Sequence, residues 1–206
     1  MRKGFLHTLV VCCVLGSTVD AVCSNRVQKN ALVICSMIIT EMTEGRVKPT
    51  EAERISLAIA NAGNRHFGRV TCGDMWLYMA IVYVESGFRI NIVNHKNCSG
   101  LFQVHAPSWA RKFGLTHKEL LEPDANADSG IRVFKYYLGL YQKIVPALSA
   151  YNSDHPRAAT GYARAVLATR KRIKKRFAEL FVAMRDAQLE RHSGSPHERK
   201  FARTVW

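Results

Sequence analysis

Residues 74–87 read DMWLYMAIVYVESG and form the most apolar run of the chain. A helix that is apolar on every side is normally buried, so this run predicts a core helix. Asp74 can cap its start and Gly87 can end it. Glu85 lies near its end, where desolvation would raise the carboxyl pKa as a general acid at neutral pH requires. The simpler alternative is that Glu85 ends the helix or pairs with Arg89.

Three short motifs follow one another along the chain. They are Glu85-Ser86-Gly87-Phe88-Arg89, Ser99-Gly100-Leu101-Phe102-Gln103 and Ala150-Tyr151-Asn152. Together they resemble the soluble lytic transglycosylase (SLT) family, relatives of goose-type lysozyme, over about half of the chain, from Asp74 to Leu167. That family has a Glu-Ser pair ending a buried helix, a Gly-Leu-Met-Gln stretch about eighteen residues on, and a later Ala-Tyr-Asn. Asn126 and Gly130 also match its Asn-x-x-x-Gly spacing, on a helix that we expect to be core.

The resemblance implies a mainly α, lysozyme-like (α+β) fold with a small irregular or β loop region beside the cleft. It implies Glu85 as the catalytic residue, Tyr151 as the tyrosine whose hydroxyl helps to hold the acid and the substrate, and no cofactor. Gln103 could orient a sugar N-acetyl group or the acid through its amide. Further candidate substrate-binding residues are Asn94, Ser99, Phe102, Asn152 and Tyr162.

Two of these candidates depart from the family pattern, and two have simpler interpretations. Asn94 stands where the family often has Ser, and Phe102 stands where it usually has Met. Asn94 can equally be a turn residue. Tyr151 can be a buried tyrosine with a satisfied hydroxyl.

The activity implied is that of a peptidoglycan lytic transglycosylase, which cleaves the bond between N-acetylmuramic acid and N-acetylglucosamine and leaves 1,6-anhydromuramyl ends. This route needs one carboxyl, whereas most glycosidases use two. A hydrolase of the same fold, a muramidase, is the first alternative, with Asp154 as the carboxylate that could serve as its base. The second alternative is a non-catalytic basic wall-binding protein. The presence of both Glu85 and Tyr151 argues against it. Cys98 lies near the site but in no recognisable nucleophile motif.

Residues 1–22 have the pattern of an export signal, with Arg2 and Lys3 before a short apolar stretch. The alternative is an N-terminal helix packed on the domain. We therefore predict a signal peptide at 1–22, a helical scaffold at 23–70, the SLT domain at 71–168, and a basic helix and tail at 169–206. The predicted location is the periplasm or cell envelope, or alternatively a phage virion.

The net charge of +14 implies an anionic partner. Residues 170–176 read RKRIKKR, and the following apolar residues recur at helical spacing, which predicts a basic amphipathic helix. Such a helix would suit an anionic membrane surface or an envelope-spanning assembly, with a solvated helix face as the alternative. The expected substrate partner is the glycan strand of peptidoglycan, and we expect no specific nucleic acid.

The six cysteines bear on the compartment. Cys12 and Cys13 would leave with a signal peptide. The remaining Cys23, Cys35, Cys72 and Cys98 could form two disulfides in an oxidising compartment, in any of three pairings. We expect no metal site, because no Cys-x-x-Cys or His-x-x-x-His pattern occurs.

Overall fold

The computed structural model describes residues 19–68 and 70–192, and over these residues the chain is mainly helical. The α-helices are α1 (Val19–Met42), α2 (Pro49–Phe67), α3 (Cys72–Ser86), α4 (Arg111–Phe113), α5 (Pro123–Tyr141), α6 (Ile144–Ser153) and α7 (Thr160–His192). Two short antiparallel strands, β1 (Cys98–Ser99) and β2 (Val104–His105), lie between α3 and α4. A π-helical turn (Ala106–Ala110) and a 3-10 turn (Glu119–Leu121) complete the connections. The predicted fold class is confirmed.

Most of the predicted signal peptide, residues 1–22, lies outside the described residues, as does the tail from 193. Helix α1 begins at Val19. Within the described part of the chain, no helix combines the length and the apolar character needed to cross a bilayer.

Helix α3 is the predicted core helix, and it packs against α2 and α7. Its buried residues are Met75, Leu77, Tyr78, Met79, Ala80, Ile81, Val82 and Ser86. The start differs from the prediction, because the N-cap is Thr71 rather than Asp74. The Thr71 hydroxyl accepts the Asp74 amide at 3.3 Å, and Asp74 Oδ2 accepts the Thr71 amide at 3.0 Å. This reciprocal capping box satisfies two N-terminal amides and moves the helix start back to Cys72.

Helices α1 and α2 form the scaffold on which α3 and α5 pack. Ile34, Ile38 and Ile39 of α1 and the Ile55 and Ile59 side chains of α2 are fully buried. The connection between the two helices reaches the end of α3, because Arg46 Nη2 donates to the Gly87 carbonyl at 3.0 Å. The start of α2 is therefore tied to the segment that carries Glu85.

Helix α7 runs unbroken across the predicted boundary at residue 168. Its apolar residues Val166, Ile173, Phe177 and Leu180 are buried, and the helix packs against α1, α3 and α6. Much of the apolar side of the predicted basic helix is thus used by the fold, whereas Phe181 and Val182 are 41% and 44% exposed. Beside these two residues, α7 presents charge outward, on Lys171, Arg172, Lys174 and Lys175.

Among the cysteines whose side chains the structure describes, two of the four that could form disulfides are unpaired. Cys35 is buried in α1 and Cys98 is half-buried in β1, and both are free thiols. Burial and the neighbouring Cys72 raise the pKa of the Cys35 thiol to about 12. The side chain of Cys23 lies outside the described part.

Candidate active site

Glu85 is a partly buried carboxyl in the last turn of α3. Burial raises its pKa from 4.5 to about 7. The negative end of the helix dipole adds to the cost of ionisation there. Gly87 ends the helix as predicted, with φ of 58° and its N–H donating to the Tyr83 carbonyl at 2.9 Å. The alternative pairing with Arg89 is not formed, since Arg89 Nε donates to the Ser86 carbonyl at 2.8 Å.

Tyr162, in the first turn of α7, is the direct partner of this carboxyl. Its hydroxyl donates to Glu85 Oε1 at 2.6 Å. A hydrogen bond to the ionised carboxylate lowers its pKa, and here burial outweighs that effect. Burial and the nearby Glu85 charge raise the pKa of Tyr162 well above 10, so this hydroxyl stays a donor. The sequence predicted Tyr162 in the cleft without predicting this contact.

Tyr151, on α6, lies beside the carboxyl but bonds elsewhere. Its hydroxyl donates to the Phe102 carbonyl at 2.8 Å. Burial and the nearby Glu85 charge raise the pKa of Tyr151 well above 10. In this structure Tyr162 makes the contact with the acid and Tyr151 bonds to the loop at Phe102, so the role of Tyr151 in holding the acid or the substrate stays a prediction.

Gln103 shapes that loop through its backbone and its amide. Its φ is 45°, in the left-handed region. Its Nε2 donates to the Gly100 carbonyl at 3.0 Å and to the Ile92 carbonyl at 3.2 Å. Both contacts use the amide nitrogen, which leaves Oε1 as the atom that can accept a hydrogen bond from a substrate.

Asn94 acts as a turn residue in this structure. Its Oδ1 accepts the amides of Lys96 at 2.8 Å and Cys98 at 3.0 Å. These bonds close the turn that leads into β1. Of the two interpretations of Asn94, the geometry favours the structural one.

Ser99 and Phe102 belong to the predicted substrate-binding set, and both residues are 0% exposed in this structure. The Ser99 hydroxyl pairs with His117 Nδ1 at 3.1 Å. Phe102 packs on Gly130, where an added Cβ would lie 2.3 Å from the Phe102 side chain. Neither side chain faces the cleft. Asn152 is exposed at the end of α6.

Asn126, a buried residue of α5, holds the Ser99–Phe102 turn in place. Its Oδ1 accepts the Phe102 amide at 2.7 Å, and its Nδ2 donates to the Ser99 and Leu120 carbonyls at 2.8 and 2.6 Å. Sequence reasoning used Asn126 only for its spacing to Gly130 and missed this role. The residue type was the signal that could have found this role, because the amide of a buried asparagine must have its hydrogen bonds satisfied.

Cys98 also borders the carboxyl. Burial raises the pKa of the Cys98 thiol, and the nearby Glu85 charge adds to the rise. A thiol that stays protonated is a poor nucleophile. The geometry therefore disfavours the nucleophile hypothesis.

Asp154, the candidate base of a hydrolase, is exposed at the C-cap of α6 with φ of 57°. Its Oδ1 accepts the Tyr137 hydroxyl. The pKa of Glu85 responds to burial and to Tyr162, with no contribution from a second carboxylate of the described chain. Within residues 19–68 and 70–192, no three His, Cys, Asp or Glu side chains converge in a metal-binding group.

The residues of the candidate site lie within a segment that matches a known protein family. No curated protein and no solved structure matches the chain. A family model described as Transglycosylase SLT domain matches residues 73–177, which begin at the start of α3 and include Glu85, Tyr151 and Tyr162. The matched segment spans half of the chain, and this chain belongs to the SLT transglycosylase family.

Proposed function

We propose that this chain is a peptidoglycan lytic transglycosylase that cleaves the bond between N-acetylmuramic acid and N-acetylglucosamine and forms 1,6-anhydromuramyl ends. The observation that carries the proposal is the single carboxyl of Glu85, with a pKa of about 7 and one hydrogen-bond donor, Tyr162. A group with this pKa can both give and take a proton near neutral pH. The family assignment supplies the substrate class.

The reaction uses Glu85 twice. The protonated carboxyl gives its proton to the glycosidic oxygen as the bond from the anomeric carbon to that oxygen breaks. The N-acetyl oxygen of the same muramyl residue stabilises the positive anomeric carbon. The Glu85 carboxylate then takes the proton of the muramyl C6 hydroxyl, and O6 bonds to the anomeric carbon. The carboxyl ends protonated, as it began, and no water is consumed.

The remaining groups of the site hold the carboxyl and the loop facing it. Tyr162 stabilises the ionised form of Glu85 between the two proton transfers, because its hydroxyl donates to Oε1. Tyr151 fastens the Phe102 carbonyl, which keeps Gln103 in the loop beside the carboxyl. Gln103 Oε1 is the acceptor we propose for a substrate N–H.

The deciding experiment is digestion of purified peptidoglycan followed by mass spectrometry of the muropeptides. Anhydro ends, lighter by one water than reducing ends, are expected. Glu85→Gln should abolish their release, since it removes the proton donor while keeping the shape of the side chain. The matched control is Glu53→Gln, which makes the same change at an exposed glutamate of α2. Near-normal cleavage by Glu85→Gln would refute the assignment.

A muramidase is the second candidate, and it predicts reducing ends in the same digest. Asp154 would then be its base, and Asp154→Asn would abolish activity. The bond from Tyr137 to Asp154 and the absence of a second carboxylate effect on Glu85 within the described chain favour the transglycosylase. A folded protein that releases no product would favour the non-catalytic wall-binding alternative.

We propose that the protein acts in the periplasm or cell envelope after export, with a phage virion as the alternative. The support is the sequence of residues 1–22. Intact-mass measurement of protein from the cell envelope tests it. A mature chain lacking about these residues is expected, whereas a full-length intracellular chain would contradict export.

We also propose that the outer face of α7 contacts an anionic membrane surface or an envelope-spanning assembly through charge. Removing the chain after Ala168 would not test this cleanly, because it would delete the buried Ile173 and Phe177. Replacing the exposed Lys171, Lys174 and Lys175 with Gln keeps the core. Sedimentation with anionic vesicles should weaken in the triple variant and in high salt, where charges are screened. Unchanged sedimentation would refute the membrane contact.

A further inference from the structure

A polar pocket lies beside the segment that follows α3, the helix that carries Glu85. Its volume is about 550 Å³, within the range of small-ligand sites. It is lined by the first turns of α2, the loop after α3, and the start of α5. Ile90 and Asn91 contribute the loop wall, five and six residues beyond Glu85.

This loop wall is held by the same contacts that shape the candidate active site. The neighbouring Ile92 carbonyl accepts Gln103 Nε2 at 3.2 Å and the Gly100 amide at 2.8 Å. On the other side, Arg46 ties the approach to α2 to the Gly87 carbonyl. The pocket is therefore braced against the loops that flank Glu85.

The net charge of the pocket lining is opposite in sign to the net charge of the whole chain. Glu51, Glu122 and Arg54 line it, so two carboxylates face one guanidinium and the local excess is negative. The chain as a whole carries +14. Arg54 Nη2 bonds Glu122 Oε2 at 2.8 Å, and both side chains are more than half exposed. Exposed pairs of this kind contribute little to the stability of the fold, so this pair can open for a ligand at little cost.

We propose that this pocket binds the peptide substituent of muramic acid, in a substrate that carries both carboxylates and a free amine. Glu51 and Glu122 take the ammonium group, and Arg54 takes a carboxylate. Thr50 and Asn91 supply neutral hydrogen-bonding groups beside them. This inference rests on the proposed cleavage of peptidoglycan, and it makes the enzyme selective for peptide-bearing strands.

The test compares three glycan substrates: strands with intact peptides, strands with the peptide amines acetylated, and strands stripped of peptide by an amidase. Glu51→Gln should lower kcat/KM about tenfold on intact strands, the size expected for loss of a charged hydrogen bond. It should leave the acetylated and the stripped strands unchanged. Glu53→Gln is the matched control, because it makes the same change on the same helix at an exposed glutamate that does not line the pocket.

Equal kcat/KM for Glu51→Gln and the unaltered protein on intact strands would overturn the pocket assignment while leaving the proposed function standing. If no strand is cleaved by any form, the proposed function fails, and calorimetric titration with a soluble muramyl peptide decides the pocket separately. Binding to the unaltered protein that weakens about tenfold in Glu51→Gln supports the assignment. Absent binding, or binding of equal strength, overturns it.

Discussion

Replacing Tyr162 with Phe should move the pH dependence of cleavage to higher pH. The Tyr162 hydroxyl donates to Glu85 Oε1 at 2.6 Å. Hydrogen bonds contribute about 1.5–3 kcal/mol to a charged partner and about 0.5–1.5 kcal/mol to a neutral one, so the bond favours the ionised carboxyl by about 1 kcal/mol. Its loss should raise the pKa of Glu85, now about 7, by about one pH unit.

The measurement is kcat/KM as a function of pH, which reports groups of the free enzyme. Because Glu85 must be protonated to start the reaction, activity falls as pH rises through its pKa. The falling limb of Tyr162→Phe should therefore lie about one pH unit above that of the unaltered enzyme. Tyr151→Phe is the control, because Tyr151 donates to the Phe102 carbonyl and its limb should stay in place. A Tyr162→Phe limb that stays, or that moves to lower pH, would refute the reasoning.

Three further predictions concern stability. Glu85→Gln removes a carboxyl whose pKa of about 7 in the folded protein exceeds its ordinary 4.5. Because the unaltered protein loses stability as pH rises from about 4.5 to 7, the free energy of unfolding of the variant should rise by about 3 kcal/mol relative to that of the unaltered protein between pH 4 and pH 8. Urea unfolding at the two pH values measures this difference. Gly130→Ala should cost about 1–3 kcal/mol in thermal unfolding because its Cβ would lie 2.3 Å from Phe102, whereas Gly139→Ala, with open space around it, should cost nothing. Asn126→Ala should cost about 3 kcal/mol or more, since it leaves a buried amide and two carbonyls unpaired; a loss below about 1 kcal/mol would contradict its role in the turn.

The parts of the fold that follow from local pattern were predictable. An apolar run of ten residues, Met75 to Val84, with a glycine stop soon after it predicts a buried helix, and α3 is one. Its start was misplaced because Asp74 looks like a cap, and only the structure shows Thr71 completing the capping box. The basic stretch after residue 169 was correctly predicted as a helix, but its apolar residues pack on α1 and α3. Sequence alone does not reveal whether an apolar face is covered.

The site was harder to predict in detail, because its partners come from distant helices. Spacing located Glu85 and the two tyrosines, but the orientation of α6 and α7 decides which hydroxyl reaches the carboxyl. The family motif favoured Tyr151, whereas Tyr162 makes the bond. Motif membership likewise does not separate a residue that faces the substrate from one that supports the loop, as the buried Ser99 and Phe102 show.

The three bonds of Asn126 have a consequence for how the loop facing Glu85 moves. The Phe102 amide belongs to a loop, yet its acceptor is a side chain of the buried α5. It can exchange its hydrogen with solvent only when the bond to Asn126 breaks and the buried Phe102 becomes exposed. Hydrogen exchange at Phe102 should therefore be as slow as in the core helices, at the free energy of global opening rather than of loop fluctuation. The segment from Ser99 to Phe102 beside Glu85 would then be a loop in shape and part of the core in its dynamics.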